Sequence, residues 1–210
     1  IGDTIRVSLT EEPEHEIPVA KKIADRYKNR SKHNKINNYC EKIINPFEYK
    51  RRSTISIKNI GKNNVPVVIS DVSFLKDINL DMLVKLGYLY SKNTDKWTIK
   101  DLAVDYIHIG NNEINIQTPN QLGVICSYSK WKVLKKKNNI FPEVNINEYM
   151  SSDIKTLKFI YISDSKNIDE SFIRKIKNDY KAVILLDTRD EHGLADQRSL
   201  FFHLIKLKIN

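Results

Sequence analysis

The chain opens on a stretch in which apolar and polar residues alternate. Ile5, Val7 and Leu9 fall on one side of an extended segment, and Arg6 and Ser8 fall on the other side. This period of two predicts a β-strand. A guanidinium and a hydroxyl on one side of a strand need hydrogen-bond partners, and together they can donate hydrogen bonds to a phosphate.

A helix is predicted directly after this strand. Ala20, Ile23, Ala24 and Tyr27 recur at helical spacing, and Pro18 is acceptable because it falls in the first turn. Beyond them the chain becomes polar and basic and loses its pattern. We interpret this stretch as an irregular connection with at most one short helix.

Five apolar, β-branched runs in the remainder predict strands. Several of them are apolar throughout, which is typical of a sheet that is covered on both faces. Helical patterns separate some of the runs, so the sequence predicts a parallel α/β fold. An open doubly wound sheet and a (β/α) barrel are both compatible with this pattern. The predicted strands are residues 65–70, 104–110, 122–127, 157–163 and 181–187.

Three helices are predicted among these strands. In one, Asn167 stands at the N-cap and Glu170 at the capping-box position, ahead of a stripe that contains Phe172 and Ile176. The apolar positions of the other two are Leu80, Leu83 and Val84, with Gly87 after them, and Leu200, Phe201, Leu204 and Ile205.

The charge of the chain is concentrated in one segment. The formal net charge is +9; residues 1–20 carry −4, residues 21–62 carry +10, and the rest carries +3. Asn, Lys and Ile are enriched along the whole chain, which is typical of an AT-rich genome. This uniform bias weakens charge as an indication of function.

Composition limits the kinds of site and compartment. Cys40 and Cys126 are the two cysteines, and they are too far apart for CxxC spacing, so neither a metal cluster nor a disulfide framework within this chain is predicted. No apolar run is long enough to span a bilayer, and no targeting peptide is recognisable. We therefore expect no membrane partner.

Motifs for nucleotide binding, zinc proteases and serine hydrolases are absent from the sequence. His108 alternates with Tyr106 on a predicted strand and is expected to be a hydrogen-bonded structural histidine. Asp187, Arg189 and His192 cluster where a βα loop is expected, which in a barrel is the active-site end. We favour the interpretation that this cluster caps a helix and faces water.

Several segments resemble one enzyme family. The segment "IGDTIRVSLTEEPEHEI" is similar to the strand that closes the catalytic barrel of the 4-hydroxy-3-methylbut-2-enyl diphosphate synthases, iron–sulfur enzymes of the non-mevalonate isoprenoid pathway. Weaker similarity continues at "PFEYKRRS", at "MLVKLGYLYSKNTDKWTIKDLAVDYIHIG" and at "AVILLDTRDEHGLADQRSLFFHLI". The large insert that follows the barrel resembles the plant-type members.

This resemblance implies specific roles. Arg6 and Ser8 match residues that bind the diphosphate of the substrate, methylerythritol cyclodiphosphate, which the enzyme opens reductively to hydroxymethylbutenyl diphosphate. Ferredoxin or flavodoxin supplies the electrons, and a plastid or apicoplast-type organelle is the implied location. The catalytic glutamate is expected upstream of Ile1 and the cysteines of a [4Fe-4S] cluster beyond Asn210, so we expect these residues alone to be inactive and to hold no cluster.

The resemblance also predicts a division of the chain. Residues 1–10 would be the last strand of a TIM-type catalytic barrel, residues 11–62 a helix and basic linker, and residues 63–210 a barrel-like insert domain that is incomplete at its C-terminal end. The insert would be a non-catalytic spacer that contacts the rest of its own chain.

Two other functions stay open. Residues 21–62 combine thirteen cations with interspersed tyrosines and a phenylalanine, so they could form a basic module that binds nucleic acid or an acidic partner. No nucleic-acid-binding motif supports this alternative. An independent α/β enzyme that uses Asp187, Arg189 and His192 is the third hypothesis.

Overall fold

The computed structural model of the chain describes most of its residues and divides them into two compact units. The described residues are 4–28, 47–48, 51, 53–75, 77–114, 116–135, 137–187 and 193–209. One unit is Ile1–Asn37 and the other is Asn38–Asn210. The predicted division into residues 1–10, 11–62 and 63–210 stays a prediction.

The first unit contains the predicted helix. A 3-10 turn over Pro13–His15 leads into α1, Glu16–Tyr27, and Pro18 lies in the first turn as expected. Residues 4–9 pair with no strand among the described residues. Their assignment to the last strand of a catalytic barrel therefore stays a prediction, because its partner strands would have to come from outside this chain.

The second unit is built on one parallel sheet. Its strands are β1 (Ile69–Asp71), β4 (Tyr106–Gly110), β5 (Gly123–Ser127), β6 (Ile140–Val144), β7 (Lys158–Ile162) and β8 (Ala182–Leu186), and they neighbour each other in that order. Every pairing is parallel. The sheet curls into half of a barrel, which confirms the predicted fold class.

The remaining elements complete this unit. An antiparallel hairpin of β2 (Tyr88–Ser91) and β3 (Lys96–Ile99) lies between β1 and β4 along the chain. The bounds are Leu80–Lys85 for α2, Tyr128–Val133 for α3, Ile146–Ser151 for α4, Glu170–Lys177 for α5 and Gly193–Lys206 for α6. None of the described helices has the length and the apolar character that crossing a membrane requires.

The two faces of the sheet have different coverings. On the outer face, Ile160 and Ile162 pack with helical residues such as Phe172 and Leu200. The inner face, which we define as the face of Phe159 and Tyr161, carries a cluster that no residue of a described helix joins. Alternation along each strand thus separates a helix-covered core from an inner cluster.

Aromatic rings fill the part of the inner face that is nearer the amino ends of the strands. Tyr106, Phe141 and Phe159 come from three different strands, and the ring centroids of Tyr106 and Phe159 are 5.7 Å apart in an edge-on arrangement. Gly123 permits this packing, because a Cβ there would lie 2.2 Å from the Tyr106 ring. Asn59 accepts a hydrogen bond of 2.6 Å from the Tyr106 hydroxyl.

Two local predictions require correction. Asp169, not Asn167, caps α5, since its carboxylate accepts a 2.7 Å hydrogen bond from the amide of Phe172. Glu170 is therefore the first residue of the helix and too early for a capping box. The strand predicted over 65–70 is the shorter β1, three residues long.

A strand in the middle of the sheet was missed. β6 contains Pro142, which pairs in register with Cys126 of β5. Proline is disfavoured inside a central strand because it has no amide hydrogen to donate to the ladder. The helix after this strand was missed as well, although Asn145 and Glu148 form a complete capping box at its start.

A buried ion pair joins the outer helices to β7. Lys158 is 2% exposed, and its Nζ donates to the Asp179 carboxylate at 2.7 Å. The hydroxyl of Tyr149 donates to the same oxygen at 3.1 Å. Although burial acts to raise it, the pKa of Asp179 is lowered by these bonds and by the charge of Lys158.

We predict that Asp179→Ala destabilises the second unit by roughly 3 kcal/mol, because it leaves the Lys158 ammonium buried without its anion. Hydrogen exchange of the β7 amides would measure this loss as faster opening. Asp153→Ala is the matched control, since Asp153 pairs with Lys155 at 3.3 Å but is 85% exposed, and it should leave exchange unchanged. Equal effects of the two substitutions would contradict the prediction.

Candidate functional site

Two groups of polar side chains are candidates for function, one in each unit. The first contains the predicted diphosphate ligands. Arg6 and Ser8 are both exposed, and Val7 between them is half-buried. The amide of Leu9 donates a 3.0 Å hydrogen bond to Glu16 at the start of α1, which ties the end of this segment to the helix.

The second candidate lies on the inner face, near the carboxyl ends of the strands. His108 of β4 stands beside Asp71 of β1, its register partner, and reaches Glu143 of β6 across the intervening β5. Its Nδ1 is 3.0 Å from Asp71 Oδ1, and its Nε2 is 3.0 Å from Glu143 Oε2. Three strands are therefore joined through one imidazole ring.

The three side chains differ in exposure. The side chain of His108 is 13% exposed, that of Glu143 23%, and that of Asp71 49%. The prediction that His108 is hydrogen-bonded is confirmed, because both ring nitrogens have partners. The sequence does not reveal either acid as a partner of His108. Asp71 is 37 positions before it and Glu143 is 35 positions after it, and only strand pairing brings them together.

Hydrogen bonding favours the charged forms of this cluster. The bond with Glu143 raises the pKa of His108 above its ordinary 6.5, burial opposes that effect, and Asp71 adds to it. Although partial burial acts to raise the pKa of Asp71, donors from Ser73 and His108 lower it from 3.8 to about 2. The geometry and these shifts therefore favour a protonated imidazole beside Asp71 and Glu143.

A cavity of about 270 Å³ opens beside the cluster. Tyr161 and Asp187 line it together with the three side chains already described. Asp187 thus lies near His108, whereas Arg189 and His192, the other members of the predicted loop cluster, lie outside the described residues. The active sites of complete (β/α) barrels occupy the corresponding end of their sheets.

Metal binding is not supported by the described side chains. No group of three or more His, Cys, Asp or Glu residues among them is placed to hold a metal ion. Cys126 is free and fully buried, and burial raises the pKa of its thiol to about 11. Cys40 lies outside the described residues. An iron–sulfur cluster takes several cysteine thiolates, so the described residues do not fit one.

The basic segment of the sequence is only partly described. Residues 29–46, 49–50 and 52 lie outside the described residues, and they include six of its thirteen cations and two of its aromatic residues. Arg51 is described, and its guanidinium donates to the carbonyl of Lys62 at 3.2 Å. Binding of nucleic acid or of an acidic partner through residues 21–62 stays a prediction.

The fold and the inner face define a parallel α/β half-barrel with a charged cluster at the carboxyl end of its strands. Comparison with known proteins is more specific. The chain is similar to the 4-hydroxy-3-methylbut-2-en-1-yl diphosphate synthase (flavodoxin) of Parabacteroides distasonis, with 30% identity over 209 residues, which are 98% of this chain and 30% of the relative.

Two further relatives carry the same name. The Bacteroides fragilis protein is 46% identical over 206 residues, 97% of this chain and 29% of the relative. The Phocaeicola vulgatus protein is 28% identical over 207 residues, 98% of this chain and 30% of the relative. The chain thus spans about 30% of the length of the curated relatives it matches. No family model and no solved structure matches it.

These relatives confirm the resemblance in its coarser form and correct its origin. The homologues are bacterial forms of the synthase, and their name gives flavodoxin as the electron donor. The predicted plastid or apicoplast location is wrong, because the relatives are from bacteria, which have no such organelles. The sequence predicts an insert of the plant type, but the relatives that match 97–98% of the chain are bacterial.

We predict that Glu143→Gln lowers the pKa of His108 more than Asp71→Asn does, because the bond to Glu143 has the larger effect on the ring. A histidine NMR titration would measure both shifts, with the His108 signal assigned by its loss in His108→Gln. His203, whose pKa is lowered by burial and by Lys206, is the internal control and should titrate unchanged. A larger shift in Asp71→Asn would contradict the prediction.

Proposed function

We propose that this chain is a part of an iron–sulfur oxidoreductase that opens methylerythritol cyclodiphosphate reductively to hydroxymethylbutenyl diphosphate, in isoprenoid biosynthesis. The observation that carries the proposal is similarity over nearly the whole chain to synthases of that name, at up to 46% identity. The complete protein takes its electrons from flavodoxin, or from ferredoxin. Its [4Fe-4S] cluster is bound by residues outside this chain.

Within that enzyme the two units have different roles. The segment with Arg6 and Ser8 belongs to the substrate site and binds the diphosphate, which suits the exposure of both side chains. An arginine offers several fixed donors to phosphate oxygens, and a serine adds one hydroxyl. Substrate binding by these residues is the part of the proposal that mutagenesis tests most directly.

The half-barrel is the insert domain, and its role is structural. It spaces the catalytic barrel from the cluster domain. Two features of the described residues support a structural role. His108 has both ring nitrogens engaged by carboxylates, so neither is available to a substrate, and the sole described cysteine is buried.

We predict that Arg6→Ala in the complete enzyme lowers kcat/KM for the cyclic diphosphate by about ten- to a hundredfold, because a charge-assisted hydrogen bond contributes about 1.5–3 kcal/mol. Steady-state reduction with flavodoxin as donor would measure the loss. Lys21→Ala is the matched control, since Lys21 is an exposed cation on α1. Unchanged kcat/KM in Arg6→Ala would remove Arg6 from the site.

We also predict that Cys126→Ala leaves the iron content of the complete enzyme unchanged. The thiol is buried, and burial raises its pKa to about 11, whereas a metal ligand has to be a thiolate. Iron and sulfide analysis of the purified protein, with the absorbance of the cluster, would measure it. Cys126→Ser is a second variant that keeps the size of the side chain. Loss of iron in both folded variants would make Cys126 a cluster ligand and refute its structural role.

A further inference from the structure

We propose that His108 is a proton-dependent latch that holds the edge strand β1 against the rest of the sheet. The protonated imidazole donates from one nitrogen to Asp71 of β1 and from the other to Glu143 of β6. Loss of its proton removes one of these two donors, so the ring then connects β4 to only one of the two strands. This inference does not rest on the proposed function.

β1 is the strand of the sheet that most needs such a connection. It has three residues and pairs with β4 alone, at the edge of the sheet. Asp71 and His108 are register partners, and the amide of Val72 donates to the carbonyl of His108 at 2.9 Å. The side-chain latch therefore lies directly beside the last backbone hydrogen bond of this edge.

Other bonds keep the region folded when the latch is released. The side-chain amide of Asn112 donates to the carbonyls of Ser73 and Leu75, each at 2.8 Å. The amide of Val68 donates to Asp105 at 2.8 Å on the other side of β1. None of these bonds involves a histidine. Deprotonation is thus expected to raise the frequency of local opening, not to unfold the unit.

The charged and titratable groups near the ring come from β1, from β6, from β7 and from the end of β8. β1 contributes Asp71, β6 contributes Glu143, and Tyr161 of β7 and Asp187 after β8 line the same cavity. β5, between His108 and Glu143, contributes the uncharged Ile125 at the register position of His108. Among these described groups the imidazole is the one cation.

The direction of the pH effect follows from the two partners. The pKa of His108 is raised in the folded state, so the latch is fully present below about pH 6.5 and is lost as the pH rises through the higher folded value. The pKa of Asp71 is about 2, so its contribution is complete above pH 3.8 and does not change in this range. Between pH 6 and pH 9 the change comes from His108.

Hydrogen exchange of the complete protein, followed by mass spectrometry between pH 6 and pH 9, tests the latch. After correction for the intrinsic exchange rate, protection of the Val72 amide should fall by about tenfold over this range, because His108 loses a charge-assisted bond to Asp71, whose side chain is half-exposed. Peptides over β7 should keep their protection, since the release is local.

Variants separate the latch from other causes. His108→Gln should abolish the pH dependence at β1, and Glu143→Gln should reduce it. His203→Gln is the matched control: it removes another described histidine of the same unit, on α6, and should leave the effect at β1 intact. If His108→Gln does not fold, the comparison of Glu143→Gln with the unmodified protein decides the question.

Three results would overturn the proposal. One is equal protection of β1 at pH 6 and pH 9 in the unmodified protein. Another is a loss of β1 protection between pH 6 and pH 9 that is as large in folded His108→Gln, or in Glu143→Gln, as in the unmodified protein. The third is a fall of the same size in β7, which would indicate destabilisation of the whole unit. A fall that is confined to β1 and removed by these substitutions, but not by His203→Gln, would support it.

Discussion

Parallel hydrogen bonding among six strands determines which residues of this chain meet. Because all six run in one direction, their carboxyl ends lie at one end of the sheet, and side chains at alternate positions share a face. His108, Asp71 and Glu143 are brought together in this way from three separate strands. For the same reason Tyr106, Phe141 and Phe159 pack together on the inner face, nearer the amino ends of the strands.

The same architecture separates two kinds of stabilisation. On the outer face apolar helix stripes cover the sheet, and Lys158 is buried there with Asp179, whose carboxylate also accepts a hydrogen bond from Tyr149. On the inner face the strands have no helix among the described residues, and the core gives way to charged groups toward the carboxyl end.

The proposed function rests on residues near the N-terminal end of the chain and on similarity to relatives. The proposed substrate ligands, Arg6 and Ser8, are in the first unit, whereas the charged cluster is in the second. Similarity to the bacterial synthases extends across both units, and it overturned the organellar location that the plant-type resemblance implied. The His108 cluster needs no substrate to account for it, since both ring nitrogens have partners within the sheet.

Local patterns in the sequence determined α1, most of the strands, the last helix and the parallel α/β class, because apolar periodicity records which faces are buried. They failed at β6, where Pro142 obscures a central strand, and at the cap of α5, where Asn167 and Asp169 are both suitable N-cap residues. Only the tertiary structure decided that His108 joins Asp71 to Glu143. That contact depends on strand order and register, which are set by long-range pairing and leave no trace in local spacing.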